Sequence, residues 1–151
     1  MEYQITKTYK MSDCFQITLP EELNVRQPVT LIAKSNDHKF QVDVTACQYS
    51  KPKQELDQYM SKLQENVLSL KDVCYSVEES GSLHIDGYEA RWVLFSFIDA
   101  ISSPETKNYW HTYRIQSDEY AYTISFVGDY DNLAADRNII NQIVSNFKIL
   151  K

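Results

Sequence analysis

The chain has 151 residues, of which 43% are hydrophobic and 24% charged, with only 3 Gly and 4 Pro. That length suits one domain with its own core, and the composition excludes wholesale disorder. The net charge of −6, with Lys and Arg scattered singly among acids, argues against nucleic acid and anionic membrane surfaces as partners.

The first half of the chain predicts a β-hairpin followed by a helix. Apolar and polar residues alternate over 15–20, a second apolar run covers 29–33, and a clean alternation follows over 40–46. Turn-forming residues separate the last two runs at 35–38. We find no repeat and no linker, so residues 1–151 are interpreted as one domain.

The helix is expected to follow Pro52 and to extend to about residue 71. Its apolar residues recur at helical spacing and draw a single stripe: Leu56, Met60, Leu63, Val67 and Leu70. The stripe lasts about two heptads, which favours packing on a sheet over a coiled-coil seam.

The second half predicts an antiparallel meander and a closing helix. Strands are expected at 74–83, 88–98, 107–116 and 120–127, and the Asp86-Gly87 pair suits a tight hairpin turn. A mostly apolar helical stripe follows Asp131 and Asn132: Leu133, Asp136, Ile140, Ile143, Val144 and Phe147. The expected fold class is therefore α+β, with one central, mostly antiparallel β-sheet flanked by helices.

Sequence motifs for catalysis, metal ions and cofactors are absent. The chain has no Gly-rich phosphate loop, no His-Glu-x-x-His and no Cys-x-x-Cys. His38 falls in a polar turn and His84 flanks a hairpin, whereas His111 shares a strand face with two tyrosines. We therefore predict no cofactor, no metal ion and no enzymatic activity. The alternative is a small ligand-binding or hydrolytic enzyme that uses His111, which needs a second titrating group placed by the fold.

Tyrosine is unusually abundant, with 11 residues in the chain. Aromatic pairs stabilise sheets, and Tyr is also enriched in binding hot spots. We interpret one strand face as a partner-binding surface formed by Trp92, Tyr109, His111, Tyr113 and Tyr122. The alternative is that these residues form the core beneath the helices. On the other face of the last strand, Ala121, Thr123 and Ser125 are small enough to let a helix approach closely.

The three cysteines and the N-terminus indicate location. Cys14, Cys47 and Cys74 are odd in number and lie in apolar, strand-like contexts. We predict reduced core thiols in a cytoplasmic protein. The first residues lack the pattern of a signal peptide, and no apolar run approaches the ~18–20 residues of a membrane span.

Four short segments together resemble a known family. They are Phe15-Gln16-Ile17-Thr18-Leu19-Pro20, Leu56-Asp57-Gln58-Tyr59-Met60, His84-Ile85-Asp86-Gly87-Tyr88-Glu89-Ala90 and the closing helix from Ile140 to Phe147. Their order and spacing are similar to the PsbP/Mog/DcrB-like superfamily over nearly the whole chain.

The resemblance implies an antiparallel sheet with packed helices and no enzymatic activity. Roles in the superfamily include a Ran-binding nuclear transport factor, an extrinsic photosystem subunit, DcrB-type lipoproteins and cytosolic chaperones of type VI secretion effectors. Those chaperones are the most similar in length, and they shield effector transmembrane helices on a sheet surface, often as dimers; the lipobox of the lipoproteins is missing here. We therefore expect an adaptor or chaperone, monomeric or homodimeric, that shields an apolar segment of another protein.

Overall fold

The strands of this chain form two antiparallel sheets. The computed structural model describes residues 4–11, 15–20, 23–27, 31–37, 39–48, 55–118 and 120–150. One sheet has three strands and the other has seven, and two helices pack against them. The α+β class with a mostly antiparallel sheet is confirmed. The predictions for Cys14, His38 and Pro52 lie outside the described residues.

The small sheet contains the first two strands and the last one. Its order is β1 (Ile5–Met11), β2 (Phe15–Pro20) and β10 (Lys148–Ile149). The alternation in β2 is confirmed, since Phe15, Ile17 and Leu19 are buried. The expectation of a single sheet is corrected, because β2 pairs with the two chain ends and leaves the main sheet. Neither β1 nor β10 carries a strong apolar pattern of its own.

The large sheet joins the two halves of the chain at its centre. Its strands are β3 (Asn24–Gln27), β4 (Leu31–Lys34), β5 (Phe40–Gln48), β6 (Val73–Ile85), β7 (Tyr88–Asp99), β8 (Lys107–Gln116) and β9 (Tyr120–Asp129). Their order is β3-β4-β5-β9-β8-β7-β6. The β4–β5 hairpin and the β6–β9 meander are confirmed. Asp86 and Gly87 have φ angles of 50° and 84°, as the predicted tight turn requires.

The first helix covers part of one face of the large sheet. Helix α1 (Leu56–Leu68) packs on β6, β7 and β8, where Met60 and Val67 meet two buried residues of β7, Val93 and Phe95. The prediction that Leu70 belongs to the packed stripe of this helix is wrong, because Leu70 lies beyond the helix end and is 54% exposed. We call this side of the sheet the α1 face.

The opposite side of the large sheet, here called the closed face, carries the main core. Helix α2 (Leu133–Ser145) follows a 3₁₀ turn (Tyr130–Asn132) and packs there together with the small sheet. Ile140, Ile143 and Phe147 are fully buried. Neither helix is long and apolar enough to cross a membrane, as far as the described residues go.

Candidate functional site

The aromatic residues predicted to bind a partner lie in the core of the closed face. Exposure is 0% for Tyr109, 5% for His111, 4% for Tyr113 and 1% for Tyr122, while Trp92 is half-buried. All five belong to or pack against the region beneath α2 and the small sheet. This corrects the expectation of an open aromatic surface, because strand alternation shows which residues share a face but not whether that face is covered.

Tyr109 is held in this core by contacts on two sides. Its hydroxyl donates to Asp136 Oδ2 of α2 at 2.8 Å, and burial raises the pKa of that carboxyl group. On the sheet side its ring lies over Gly128, where an added Cβ would come within 2.7 Å of the hydroxyl oxygen. A glycine is therefore required here for close approach. These contacts describe a structural tyrosine under α2.

His111 lacks the neighbours that acid–base catalysis needs. Its ring lies 5.1 Å from Trp92 and 4.6 Å from Tyr113, centroid to centroid. Burial, with a smaller contribution from Arg137, lowers the pKa of His111 to about 4. Neither ring nitrogen forms a hydrogen bond with any part of the chain that the structure describes. The geometry therefore gives the enzyme alternative no second catalytic group within that part.

Among the described residues, no helix packs on the half of the α1 face that lies away from α1. The side chains there alternate with core residues of the same strands. They are Ile32 of β4, Asp43, Thr45 and Cys47 of β5, and Ala121, Thr123 and Ser125 of β9, and we call them the open face. Thr45 and Cys47 are exposed, Ile32, Asp43 and Thr123 are half-buried, and Ala121 and Ser125 are buried. Apart from Ile32 the floor consists of small or short side chains.

An ordered boundary separates the open face from α1. The guanidinium of Arg114 stacks 3.9 Å from the ring centroid of Tyr59 on α1 and donates to Thr123 Oγ1 at 3.0 Å. Two residues further along the same strands, β8 and β9, the hydroxyl groups of Thr112 and Ser125 share a buried hydrogen bond of 2.8 Å. The hydroxyl groups of Thr123 and Ser125 thus already have hydrogen-bond partners within the sheet. A helix packed on this floor would not leave these two groups unpaired.

The carboxylate of Asp43 lies on the open face and forms no ion pair with another described residue. The Gln41 side-chain amide donates to both carboxylate oxygens of Asp43, at 2.8 and 2.9 Å. Burial raises the pKa of Asp43, although that amide and the charge of Lys34 oppose the shift. Asp43 has no salt bridge with a described residue. A cationic group that reached this position would gain a partly desolvated partner.

An acidic cleft of about 510 Å³ lies where β8 ends beside the start of α1. It is lined by Glu55, Leu56, Asp57, Glu89, Arg91 and Gln116. Arg91 Nε donates to Asp57 Oδ1 at 2.9 Å, so one cation faces three carboxylates. Gln116 pairs with Ala121, which pairs with Cys47, so this cleft adjoins one end of the open face.

The cysteines do not lie in the core. Cys47 and Cys74 are free and exposed. This corrects the prediction of core thiols for these two positions, because both fall on the outward side of strands whose other side is packed. The cytoplasmic location stays a prediction.

Comparison with solved structures identifies the fold. No family model and no curated protein matches the sequence. The solved structure of cyanobacterial PsbP (CyanoP) from Synechocystis sp. PCC 6803 matches with a TM-score of 0.72 and 10% identity, over 95% of this chain and 91% of that one. The chain has the PsbP/Mog-like fold.

Two further structures with the PsbP/Mog-like fold extend the comparison. The Ran-binding protein Mog1p of Saccharomyces cerevisiae matches with a TM-score of 0.65 and 11% identity, over 97% of this chain and 96% of that one. LpqN of Mycobacterium tuberculosis, involved in cell envelope biogenesis, matches with a TM-score of 0.67 and 9% identity, over 91% and 83%. Likeness at such low identity establishes the fold alone, so no functional residue is transferred to the open face.

Sequence reasoning identified half of the open face. The small residues Ala121, Thr123 and Ser125 stood out in the sequence as a floor that a helix could approach. Asp43 and Thr45 were missed as site residues. They occupy the polar positions of a half-buried strand, and only the β5–β9 pairing sets them beside the small residues of β9.

Proposed function

We propose that this PsbP/Mog-like chain is a non-enzymatic protein-binding module, an adaptor or chaperone that shields an apolar helical segment of another protein on its open face. The supporting observation is that α1 covers β6, β7 and β8, while the floor over β9 and β5 has short side chains, of which Thr45 and Cys47 on β5 are exposed. Short side chains allow the backbone of a docked helix to approach the sheet closely.

The dimensions of the open face fit one helix. A helix with its side chains is about 10 Å across, and neighbouring strands lie about 4.8 Å apart. The three strands β4, β5 and β9 therefore offer a floor about 14 Å wide. A partner helix there would lie beside α1 as a second helix on the same side of the sheet. Its apolar side chains would contact Ile32 and the methyl groups of Thr45 and Thr123.

Charge complementarity favours a partner with Lys or Arg flanking its apolar residues. Asp43 on the floor forms no ion pair with another described residue, and the acidic cleft adjoins one end of the floor. The net charge of −6 adds long-range attraction for a cationic segment. Such complementarity mainly raises the association rate and fixes the orientation of the bound helix. The printed description of Mog1p as Ran-binding supports the proposal only by analogy of fold.

The experiment is to fill the open face with one large side chain. Thr45→Trp places an indole on an exposed position of the floor, so the core is not disturbed. Thr6→Trp makes the same change on an exposed position of β1 and is the matched control. Each protein is immobilised, incubated with extract of the host organism, and its bound proteins are quantified by mass spectrometry.

The proposal expects a partner that is retained by the wild type and by Thr6→Trp but lost with Thr45→Trp. A purified fragment of that partner should bind Thr45→Trp about 30-fold more weakly or worse, because truncation or blockage at an interface centre costs about 2 kcal/mol or more. Asp43→Asn should weaken binding less and reduce its dependence on salt. Equal retention of every bound protein by both Trp variants would contradict the proposal.

A further inference from the structure

The large exposed apolar side chains belong to β6 or to segments that join β6 and the end of its neighbour β7. Among the described residues they are Leu68 (51% exposed), Leu70 (54%), Val77 (37%) and Ile101 (74%). Leu68 and Leu70 end the α1 segment, and Val77 lies on β6. Ile101 follows Asp99, which pairs with Val73 at the start of β6. We call these four residues the apolar rim. It lies across the sheet from the open face, at the opposite end of the strand order.

The rim borders a strand with a free edge. Within the part of the chain that the structure describes, β6 pairs only with β7, and its 13 residues make it far longer than the opposite edge strand β3, which has 4. A register shift interrupts β6 between Val77 and Glu79. Bulges of this kind and charged side chains usually prevent an edge strand from pairing with a strand of another chain. Here these features protect only the second part of β6.

The unprotected part of β6 is a five-residue uncharged window. It reads Val73-Cys74-Tyr75-Ser76-Val77 and is flanked by Lys71-Asp72 on one side and Glu78-Glu79 on the other. Val73, Tyr75 and Val77 point to the α1 face, because they pair with Asp99, Phe97 and Phe95 of β7. The rim and the window therefore form one apolar border on the same side of the sheet.

We propose that this edge binds a second copy of the chain, with the two β6 strands paired antiparallel over residues 73–77 about a twofold axis at Tyr75. The window has nearly the same chemistry in both directions. Val73 would face Val77 of the second copy, Tyr75 would face Tyr75, and Cys74 would face Ser76. Opposed residues of a ladder share a face, so the apolar rims of both copies would meet on one side.

The number of uncharged pairs favours this register, which places Asp72 opposite Glu78 and Lys71 opposite Glu79 of the second copy just outside the window. With the axis at Tyr75 all five window residues are paired without a charge between them. Moving the axis by one residue, to Cys74 or Ser76, places Asp72 or Glu78 opposite the window and leaves three uncharged pairs, since 73–75 or 75–77 alone would match. An isologous contact of this kind closes as a dimer and does not propagate into fibres. The self-matching window is what favours a second copy over an unrelated strand.

The dimer is independent of the proposed function. Its contacts lie on β6, whereas the open face lies on β4, β5 and β9. Each dimer would keep both open faces accessible. Loss of the dimer therefore leaves capture of a partner by the open face intact, and the two hypotheses fail separately.

The first test is the molar mass in solution. Sedimentation equilibrium of the full chain should give a reversible dimer for the wild type. Val77→Lys should raise the dimer dissociation constant about tenfold or more, because it places two cations in the paired window. Ser82→Lys, on the same side of β6 beyond the bulge, is the matched control and should change it less than about twofold. A wild type that is still monomeric at about 100 µM would overturn the proposal. Equal effects of the two Lys variants would also overturn it.

The second test reads the register directly and does not depend on the stability of Val77→Lys. In a background with Cys14→Ser and Cys47→Ser, the variant Ser76→Cys places the introduced thiol opposite Cys74 of the second copy. Mild oxidation with oxidised glutathione should give a covalent dimer on a non-reducing gel. Ser82→Cys in the same background should give at least about fivefold less, because paired positions bring Cβ atoms within disulfide reach and distant ones do not. Equal cross-linking by both variants overturns the proposed register.

Discussion

Polar side chains on the closed face differ in how far their hydrogen-bonding groups are paired. The carboxyl group of Asp136 accepts a hydrogen bond from Tyr109, and Arg137 forms a 3.0 Å salt bridge with Glu79 of β6. His111, beneath the same helix, has no hydrogen-bond partner among the described residues. A buried group without a partner loses the solvation that it had in the unfolded chain. Protonation of the buried His111 ring on acidification should therefore destabilise the closed face.

We expect His111 to make stability depend on pH. Its pKa is lowered from 6.5 to about 4, so the unfolded chain binds the proton first as the pH falls. The neutral ring's contribution is fully present above pH 6.5 and decreases towards pH 4, by about 3 kcal/mol in total. The measurement is urea unfolding of the wild type and His111→Phe at pH 7.5 and 4.5.

The variant should lose less stability than the wild type between the two pH values. His84→Phe removes an exposed histidine and is the control, which should follow the wild type. Carboxyl groups titrate equally in all three proteins, so the comparison isolates the imidazole. An identical pH dependence of His111→Phe and wild type would mean that His111 is solvated in the folded protein.

The two helices differ in how they are attached. Helix α1 rests on a small cluster formed by Met60, Val67, Val93 and Phe95. Helix α2 belongs to the main core, in which Ile140 is fully buried against both sheets. Local opening free energies follow the number of buried apolar contacts. Helix α1 is therefore the element that opens at lower cost, and it forms one side of the open face.

Hydrogen exchange should distinguish the two helices. Met60→Ala removes a buried side chain of α1 and should speed amide exchange in α1, with β8 and α2 almost unchanged. Ile140→Ala should lower protection throughout the chain, because it costs about 2–5 kcal/mol of global stability. Native-state exchange followed by mass spectrometry measures both. Equal loss of protection in α1 and β8 with Met60→Ala would show that α1 unfolds only with the whole domain.

At the scale of the whole molecule, the large sheet has one covered side and one partly open side. The closed face is sealed by α2 and the small sheet, while the α1 face ends in the open face on one flank and the apolar rim on the other. This arrangement separates a surface suited to a partner helix from an edge suited to a second copy. Cys47 lies on the first surface and Cys74 on the second.

The thiol of Cys47 offers a footprint of the open face. In a variant with Cys14→Ser and Cys74→Ser, Cys47 should react with a maleimide without denaturant, because its side chain is exposed. A partner captured by the open face should slow this labelling about tenfold or more, which rests on the proposed function. Labelling only after unfolding would contradict the exposure of Cys47. Unchanged labelling with partner bound would place the partner elsewhere.

The sequence by itself determined the elements with strong local periodicity. The alternation in β2 and β5 and the stripes of α1 and α2 correspond to observed elements. Each pattern reports neighbours within one element, so it needs no knowledge of the rest of the chain. Two residues of the predicted stripes lie beyond their helices: Leu70 follows α1 and is exposed, whereas Phe147 follows α2 and is buried.

Only the tertiary structure decided which faces are covered. The strand pattern placed Tyr109, His111 and Tyr113 on one side and Thr123 with Ser125 on another, but alternation cannot say which side receives a helix. The pairing of β5 with β9 joins segments about 80 residues apart, and the return of β10 to β2 closes the small sheet over the aromatic face. Such contacts arise from burying apolar area across the whole chain, so no local pattern encodes them. The open face and the free edge of β6 are what that burial leaves uncovered.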